Sequence, residues 1–333
     1  METEATLLIT RSEVASLLGL AECIDAVEEA FRLHADGMSL QPGVLETLTG
    51  EGGFHIKAAG LRLPGGSYYA AKVNANFPLN PERFGLPTIQ GVVVLCDAER
   101  GRPLAIMDSM ELTALRTAAA TGVAARHLAR PDSKVATVCG CGVQGRVQLR
   151  ALAEVLRLKK VYAFDSDGTS AGSFAREMSE ELGVEVEAAS DLRKAAGGSD
   201  VCVTCTPSRR PVLMRGDVRP GTFVAAVGAD NPLKQEIDPA LMASGKIVVD
   251  ILEQCASIGD LHHALEAGAV TAGEVYAELG EIIAGRKRGR TSEEEIVIFD
   301  STGTALQDVA AAAVVYERAL HEGAGVRLKP LSS

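Results

Sequence analysis

"KVATVCGCGVQG", residues 134–145, decides how this chain is read. A β-type run from Lys134 to Cys139 gives way to three glycines, Gly140, Gly142 and Gly145, and residues 144–158 then carry helical spacing. Strand, glycine turn and helix in that order form a cradle for a dinucleotide pyrophosphate. The first glycine allows the tight turn and the second lets backbone approach the anion. The third lets helix and strand pack closely, and the helix N-terminus turns its N–H groups to the charge. Such a cradle needs an acid about 20 residues later, at the end of the second strand, to bond the ribose hydroxyls. "VYAFDSD" supplies Asp165 at that point. A carboxylate there repels a 2′-phosphate, and no arginine follows it at once, so NAD is the expected cofactor and NADP the alternative. Asp167 reads as a turn or N-cap aspartate.

Downstream, short apolar runs alternate with helical ones. Val161–Phe164, Val184–Ala188, Val201–Thr204, Thr222–Val227 and Ile247–Asp250 read as strands, and 169–182 as a helix. This is the pattern of a parallel sheet covered on both faces. The fold class is therefore α/β, with a Rossmann-type doubly wound parallel sheet over 117–303. Upstream the character differs. Residues 12–39 have helical periodicity, and 53–108 break into β-type runs divided by Gly, Pro and Asn, with "AERG" as a hairpin turn. An α+β domain with an antiparallel sheet is expected there. Ser109, as N-cap with Glu111 in the first turn, opens a long Ala-rich helix that Pro131 stops. The last helix, "DVAAAAVVYERALHEG", is expected to return to the first domain, which then comprises 1–116 plus 304–333.

The composition fits two soluble domains: 333 residues exceed the roughly 250–300 at which single cores stop growing. A net charge of −11 supplies no basic field for nucleic acid or an anionic membrane. The one basic cluster, Arg286, Lys287, Arg288 and Arg290, reads as a solvated turn. The N-terminus is acidic where a signal peptide is basic, and no apolar run approaches the ~20 residues of a membrane span, so a cytoplasmic protein with reduced thiols is expected. Cys139-x-Cys141 and Cys202-x-x-Cys205 lie in strand-like runs. Strand positions three apart face opposite sides, so these cysteines are read as buried small hydrophobes and no metal site is expected.

"LTALRTAAATGVAARHLARP" at 112–131, "CGCGVQG", "VGADNPLKQEI" at 227–237 and "IFDSTGTALQD" at 298–308 resemble the ornithine cyclodeaminase and mu-crystallin family. "KVNANFP" at 72–78 and "GRPLAIMD" at 101–108 fit the same pattern, in the same order over nearly the whole chain. The resemblance implies an N-terminal substrate-binding and dimerisation domain, a homodimer, and hydride transfer between nicotinamide and the α-carbon of a small amino or imino acid. Such chemistry needs a cation to clamp the carboxylate and an acid/base near the nitrogen.

Each of these side chains also has a plain reading. Arg116 alone would be an arginine reaching from an apolar helix to solvent; the "RTAA" match implies a bidentate carboxylate contact. Lys72 alone would be a strand lysine facing water, and Asp230 a turn aspartate. The resemblance makes Lys72 a substrate and catalytic lysine and Asp230 the catalytic acid/base. It also gives Thr117, Gly140, Gly142, Val143, Gln144, Gly145, Asp165, Thr206, Lys234 and Ser301 to the cofactor.

The chain departs from ornithine-acting members at two places. Gly43 and Val44 stand where those carry an arginine, and "FHIKAAGL" has His55 near the place of an acid and Lys57-Ala58 in place of Met-Pro. His55 and Lys57 become candidate substrate contacts, against the alternative that both face solvent from a two-sided strand. Loss of the acid argues against a distal ammonium. Reduction of a small cyclic ketimine thus leads, ornithine cyclodeamination with catalytic NAD is the close alternative, and a non-catalytic mu-crystallin-like ligand-binding protein the reading of another class.

Overall fold

The computed structural model describes residues 5–329. It divides into two compact units, Met1–Arg116 with Thr304–Ser333, and Thr117–Gly303. Among the described residues no helix is long and apolar enough to cross a membrane.

The first unit begins with β1 (Thr6–Ile9), α1 (Arg11–Leu17) and α2 (Leu20–Ala35). A meander follows: β2 (Ser39–Leu48), β3 (Gly53–Leu63), β4 (Gly66–Asn76), the short α3 (Asn80–Phe84), β5 (Ile89–Asp97) and β6 (Pro103–Asp108), with α4 (Ser109–Leu128) opening after it. The helical periodicity over 12–39 resolves into two helices. A Thr10–Glu13 capping box starts α1, and the chain turns extended at Leu18 before Gly19 caps α2. The break lets the adjacent Leu17 and Leu18 both reach the core, which one continuous helix face would not allow.

From β2 to β6 the strands pair antiparallel as expected, but β1 joins β6 in parallel. Residues 98–101 turn the β5–β6 hairpin, with Gly101 at φ +70°. Strand alternation sends Lys57, Ala59 and Leu61 of β3 and Tyr68, Ala70 and Lys72 of β4 to one buried face. Helix α2 and a helix from the far end of the chain pack on this unit.

The start of α4 corrects the sequence reading. Asp108 takes the capping role, its Oδ1 accepting the N–H groups of Met110 (2.9 Å) and Glu111 (3.4 Å). Ser109 instead donates its hydroxyl to Asn74 Oδ1 at 2.6 Å.

The second unit contains β7 (Val135–Cys139), α5 (Val143–Val155), β8 (Lys160–Phe164), α6 (Gly168–Leu182), β9 (Glu185–Ala188), α7 (Leu192–Gly197) and β10 (Val201–Thr204). It continues through β11 (Arg209–Leu213), β12 (Phe223–Ala226), β13 (Gln235–Ile237), α8 (Pro239–Met242) and β14 (Lys246–Val249). Then come α9 (Leu252–Ile258), α10 (Asp260–Glu266), β15 (Ala277–Glu278), α11 (Leu279–Ile283) and β16 (Val297–Asp300). Eight strands form one parallel sheet in the order β15-β14-β16-β12-β10-β7-β8-β9. All residues of β10, β12 and β16 are buried, the signature of strands covered on both faces. The order reverses between β7 and β10, which is the switch point of a doubly wound Rossmann-type sheet. Strands β11 and β13 form a separate parallel pair that the periodicity did not reveal.

The basic cluster is only partly solvated. Arg290 donates to the carbonyls of Leu128 (2.9 Å) and Glu295 (2.5 Å), and Lys287 to that of Tyr276 (2.6 Å). The chain closes the first unit with α12 (Ala305–Glu322) and β17 (Val326–Leu328), which pairs with β1. Helix α12 is buried almost all round and packs on α2, β3 and β4; its run Ala310–Ala313 permits the close approach.

The cap assignment is testable. Asp108→Ala should lower the unfolding free energy by about 1 kcal/mol in urea titration, whereas Asp108→Asn, which caps as well, should stay within a few tenths.

Candidate active site

In the first unit, the inward face of β4, the helix α4 and the first turn of α12 bring Lys72, Arg116 and Asp308 together. Lys72 Nζ donates to Asp308 Oδ1 at 2.9 Å and lies 2.9 Å from Oδ2, and Arg116 Nε lies 2.8 Å from Oδ1. Arg116 Nη1 also donates to Gln307 Oε1 at 2.8 Å. None of the three reaches 5% exposure: Lys72 2%, Arg116 4%, Asp308 0%. Burial would raise the Asp308 carboxyl, but the charges of Arg116 and Lys72 outweigh it and hold the group below its ordinary value. Burial, then repulsion from Arg116, pushes Lys72 down to about 7, with Asp308 opposing and Lys57 adding to the fall.

Lys57 stands opposite Lys72 in the β3–β4 register and is 7% exposed, so it does not face solvent. His55, two residues earlier on the same face, is half-buried with Nδ1 3.5 Å from Glu46 Oε1. Asp308 and Gln307 lie in the stretch "IFDSTGTALQD" at 298–308, where local sequence assigns them no role. Their places are set by contacts 236 and 191 residues apart in sequence, to Lys72 and Arg116, which no local pattern encodes.

In the second unit, parallel pairing puts every strand's C-terminal end on one edge. There the glycine loop meets its geometric tests. Gly140 has φ +103°, and a Cβ on it would come within 2.9 Å of the Cys205 carbonyl oxygen. A Cβ on Gly145 would stand 2.1 Å from the Gly140 carbonyl oxygen, whereas Gly142 has nothing within 4 Å. Two glycines are thus needed by the protein itself, and the third faces open space where a ligand's anion can approach. Gly142 caps α5 without any side-chain hydrogen bond, so the first-turn amides of Val143, Gln144 and Gly145 have no side-chain acceptor at the cap.

Asp165, just past β8, accepts the Cys141 N–H at 2.8 Å and the Asp167 N–H at 3.0 Å, which aims it along the loop. Asp167 is the N-cap of α6. The residues present fit a dinucleotide.

Thr206 lies past β10, Asp230 past β12 and Ser301 past β16, all on that edge. Glu236 ties two of these loops together. It accepts the Thr206 N–H at 2.5 Å and the Gly228 N–H at 2.7 Å, and burial raises its pKa. Sequence reading missed it. Asp230 is half exposed (side chain 53%), with Lys234 Nζ 2.8 Å from its Oδ1. Lys234 is therefore the partner of Asp230. Ser301 is 2% exposed and donates its N–H to the Ala226 carbonyl. Thr117 is half-buried on α4. Burial raises the thiols of Cys139, Cys141, Cys202 and Cys205, and Cys205 Sγ donates to the carbonyls of Cys139 and Gly140.

Known proteins share this architecture. The model of the ornithine cyclodeaminase/mu-crystallin family matches residues 4–323. Alanine dehydrogenase of Archaeoglobus fulgidus is 43% identical over 326 residues, 97% of this chain and 98% of that one. A solved archaeal alanine dehydrogenase dimer with bound NAD superposes with a TM-score of 0.93 at 42% identity, covering 98% of this chain and 99% of that chain. The Δ1-pyrroline-2-carboxylate reductase of Thermococcus litoralis, solved with NADH and L-proline, gives 0.91 at 35% identity over 97% and 100%.

The two glycine environments predict opposite outcomes in thermal unfolding. Gly145→Ala, whose Cβ meets rigid backbone, should cost about 1–3 kcal/mol or more and lower the melting temperature by several degrees. Gly142→Ala should leave it within a degree or so.

Proposed function

Because the chain belongs to the ornithine cyclodeaminase/mu-crystallin family, we propose that it is an NAD-dependent oxidoreductase acting at the α-carbon of a small amino or imino acid. The observation that carries this reading is the buried pair Lys72 and Arg116 sharing the single carboxylate Asp308, with Lys72 pushed down to about 7. Such a place disfavours added positive charge and welcomes an anion, which a substrate carboxylate supplies.

Arg116 and Lys72 bind that carboxylate, and Asp230 exchanges a proton with the substrate nitrogen. When bound, the nicotinamide supplies or accepts the hydride. The amides of Val143, Gln144 and Gly145 would take its pyrophosphate and Asp165 the ribose hydroxyls, with Thr117, Thr206, Lys234 and Ser301 contributing further contacts. Asp165 favours NAD over NADP by repulsion of a 2′-phosphate. Lys57, on the face of Lys72, adds positive charge that a distal ammonium would meet. Reduction of an imino acid without a cationic side chain is therefore favoured over ornithine cyclodeamination, and His55 borders the same face.

The reading extends to a homodimer. On the opposite face of the first unit's sheet, Leu45, Ile56, Val73 and Val92 lie side by side across β2 to β5. Leu45 is 58% and Val92 42% exposed, with Phe54 and Leu8 close to 40%. An apolar face of this breadth suits a second copy of the chain.

Four measurements bear on these assignments. NADH should be consumed with Δ1-pyrroline-2-carboxylate or with pyruvate and ammonium, and Asp230→Asn should lower kcat at least ~100-fold. Stoichiometric ammonia and proline from ornithine with catalytic NAD would favour the cyclodeaminase instead. Turnover of nothing across an amino-acid and ketimine panel, with ligand still bound, would leave a binding protein.

The pH dependence of carboxylate binding tests Lys72. Pyrrole-2-carboxylate, which itself does not titrate near neutrality, should bind more weakly as pH rises through about 7, because the ammonium that attracts it is lost. Lys72→Gln should bind weakly at every pH; a pH-independent wild type would overturn the assignment.

The dimer is read by light scattering. Val73→Asp should convert a dimeric wild type to monomer, and a monomeric wild type would sink the dimer.

A further inference from the structure

The proposed chemistry makes no use of α10, whose sequence "DLHHALE" carries two adjacent histidines and a glutamate one turn on. His262, His263 and Glu266 each offer a ligand atom, and these atoms all lie within 4.8 Å of one another. Both imidazoles are fixed by backbone carbonyls. His262 Nδ1 is 3.2 Å from the Ala256 carbonyl oxygen and His263 Nε2 is 2.8 Å from that of Lys234. A carbonyl only accepts, so each of those nitrogens carries the proton. The lone pairs are left on His262 Nε2 and His263 Nδ1. A ring whose second nitrogen donates to a carbonyl is the arrangement that orients histidines around metal ions.

The spacing also suits an ion. His262 Nε2 stands 3.5 Å from Glu266 Oε2. Two donors each about 2.1 Å from a tetrahedral ion are about 3.4 Å apart. The histidines are half-buried and the Glu266 side chain is 65% exposed, so an ion can enter from solvent.

We propose that His262, His263 and Glu266 form a site for one divalent transition-metal ion of the zinc class, with water completing the shell. Two nitrogens and one carboxylate select Zn2+, Co2+, Ni2+ or Cu2+ over Mg2+ and Ca2+, which take oxygen ligands. The site is separate from the oxidoreductase reading and does not depend on it. Its link to the rest of the unit is the His263–Lys234 hydrogen bond, since Lys234 is also the ion-pair partner of Asp230. An ion on His263 makes that ring's N–H a stronger donor and so tightens α10 onto the loop of Asp230.

The test uses the full chain without a histidine tag, stripped of metal and titrated with Co2+. The expected result is a visible d–d spectrum that saturates at one ion per chain, is displaced by Zn2+ and ignores excess Mg2+. His262→Ala and Glu266→Gln should each weaken binding at least about tenfold while the metal-free variants keep the wild-type far-ultraviolet circular dichroism. Unsaturable binding, an affinity unchanged in both variants, or a near-ultraviolet thiolate charge-transfer band placing the ion on cysteine would each overturn the site.

Discussion

One buried carboxylate, Asp308, holds two buried cations, and the first unit's architecture is arranged around it. Lys72 comes from the middle of a sheet, Arg116 from α4, and Asp308 from a helix that the chain reaches only after completing a whole second unit. Removing one partner of a buried pair typically costs about 3–5 kcal/mol, because the other charge is left uncompensated. Here loss of Asp308 would strand two charges together. The carboxylate sits in the first turn of α12, where the helix dipole favours a negative charge. Positive groups outnumber the one carboxylate here, and their repulsion with burial holds Lys72 down to about 7. The packing of β4, α4 and α12 therefore rests on these side chains.

How far this was legible differs between the units. In the second, β7 and β10 lie where the runs of apolar residues placed them, since buried parallel strands have a pattern local in sequence. The glycine loop was equally readable, because its requirements fall within six residues. In the first unit the strands could be placed but the site could not be completed. Lys72 and Arg116 were picked out through a resemblance. Asp308 and Gln307 look like any polar pair at the start of an alanine-rich helix, and their meaning comes from tertiary contact alone. Lys57 is instructive: strand alternation places it on the face of Lys72 once the β3–β4 register is known, and the register is not written in either strand. Local chemistry likewise decided α4, where Asp108 outcompetes Ser109 as the cap because a carboxylate accepts two N–H groups and the hydroxyl is spent on Asn74.

The second unit builds its edge from buried acids instead. Asp250 accepts the Gly303 N–H and the Thr302 hydroxyl, and Asp300 accepts the N–H groups of Asp260 and Leu261 at the start of α10. Asp260 accepts those of Glu236 and Ile237, and Glu236 those of Thr206 and Gly228. The four residues thereby fix the loops after β10, β12 and β16. Burial pushes Asp300 up to about 7, and burial with the neighbouring Asp300 and Glu236 charges raises Asp260 well above its ordinary range. Burial and the mutual repulsion of neighbouring carboxylates thus both oppose full ionisation of Asp300 and Asp260.

The two devices differ for a physical reason. Backbone N–H groups can neutralise a buried acid only by hydrogen bonding to it, and each amide so used is lost to a ligand. The acids of the second unit take the amides of Thr206, Gly228, Asp260, Leu261 and Gly303. They do not take those of Val143, Gln144 and Gly145, and no side chain caps α5 at Gly142. Asp165 reaches the glycine loop but binds Cys141, ahead of the Gly142 cap. Loops that carry side chains are thus locked by carboxylates, while the helix end suited to a phosphate keeps its donors. In the first unit the buried acid is met by side-chain cations instead, Lys72 and Arg116 on Asp308, so no comparable set of amides is spent there.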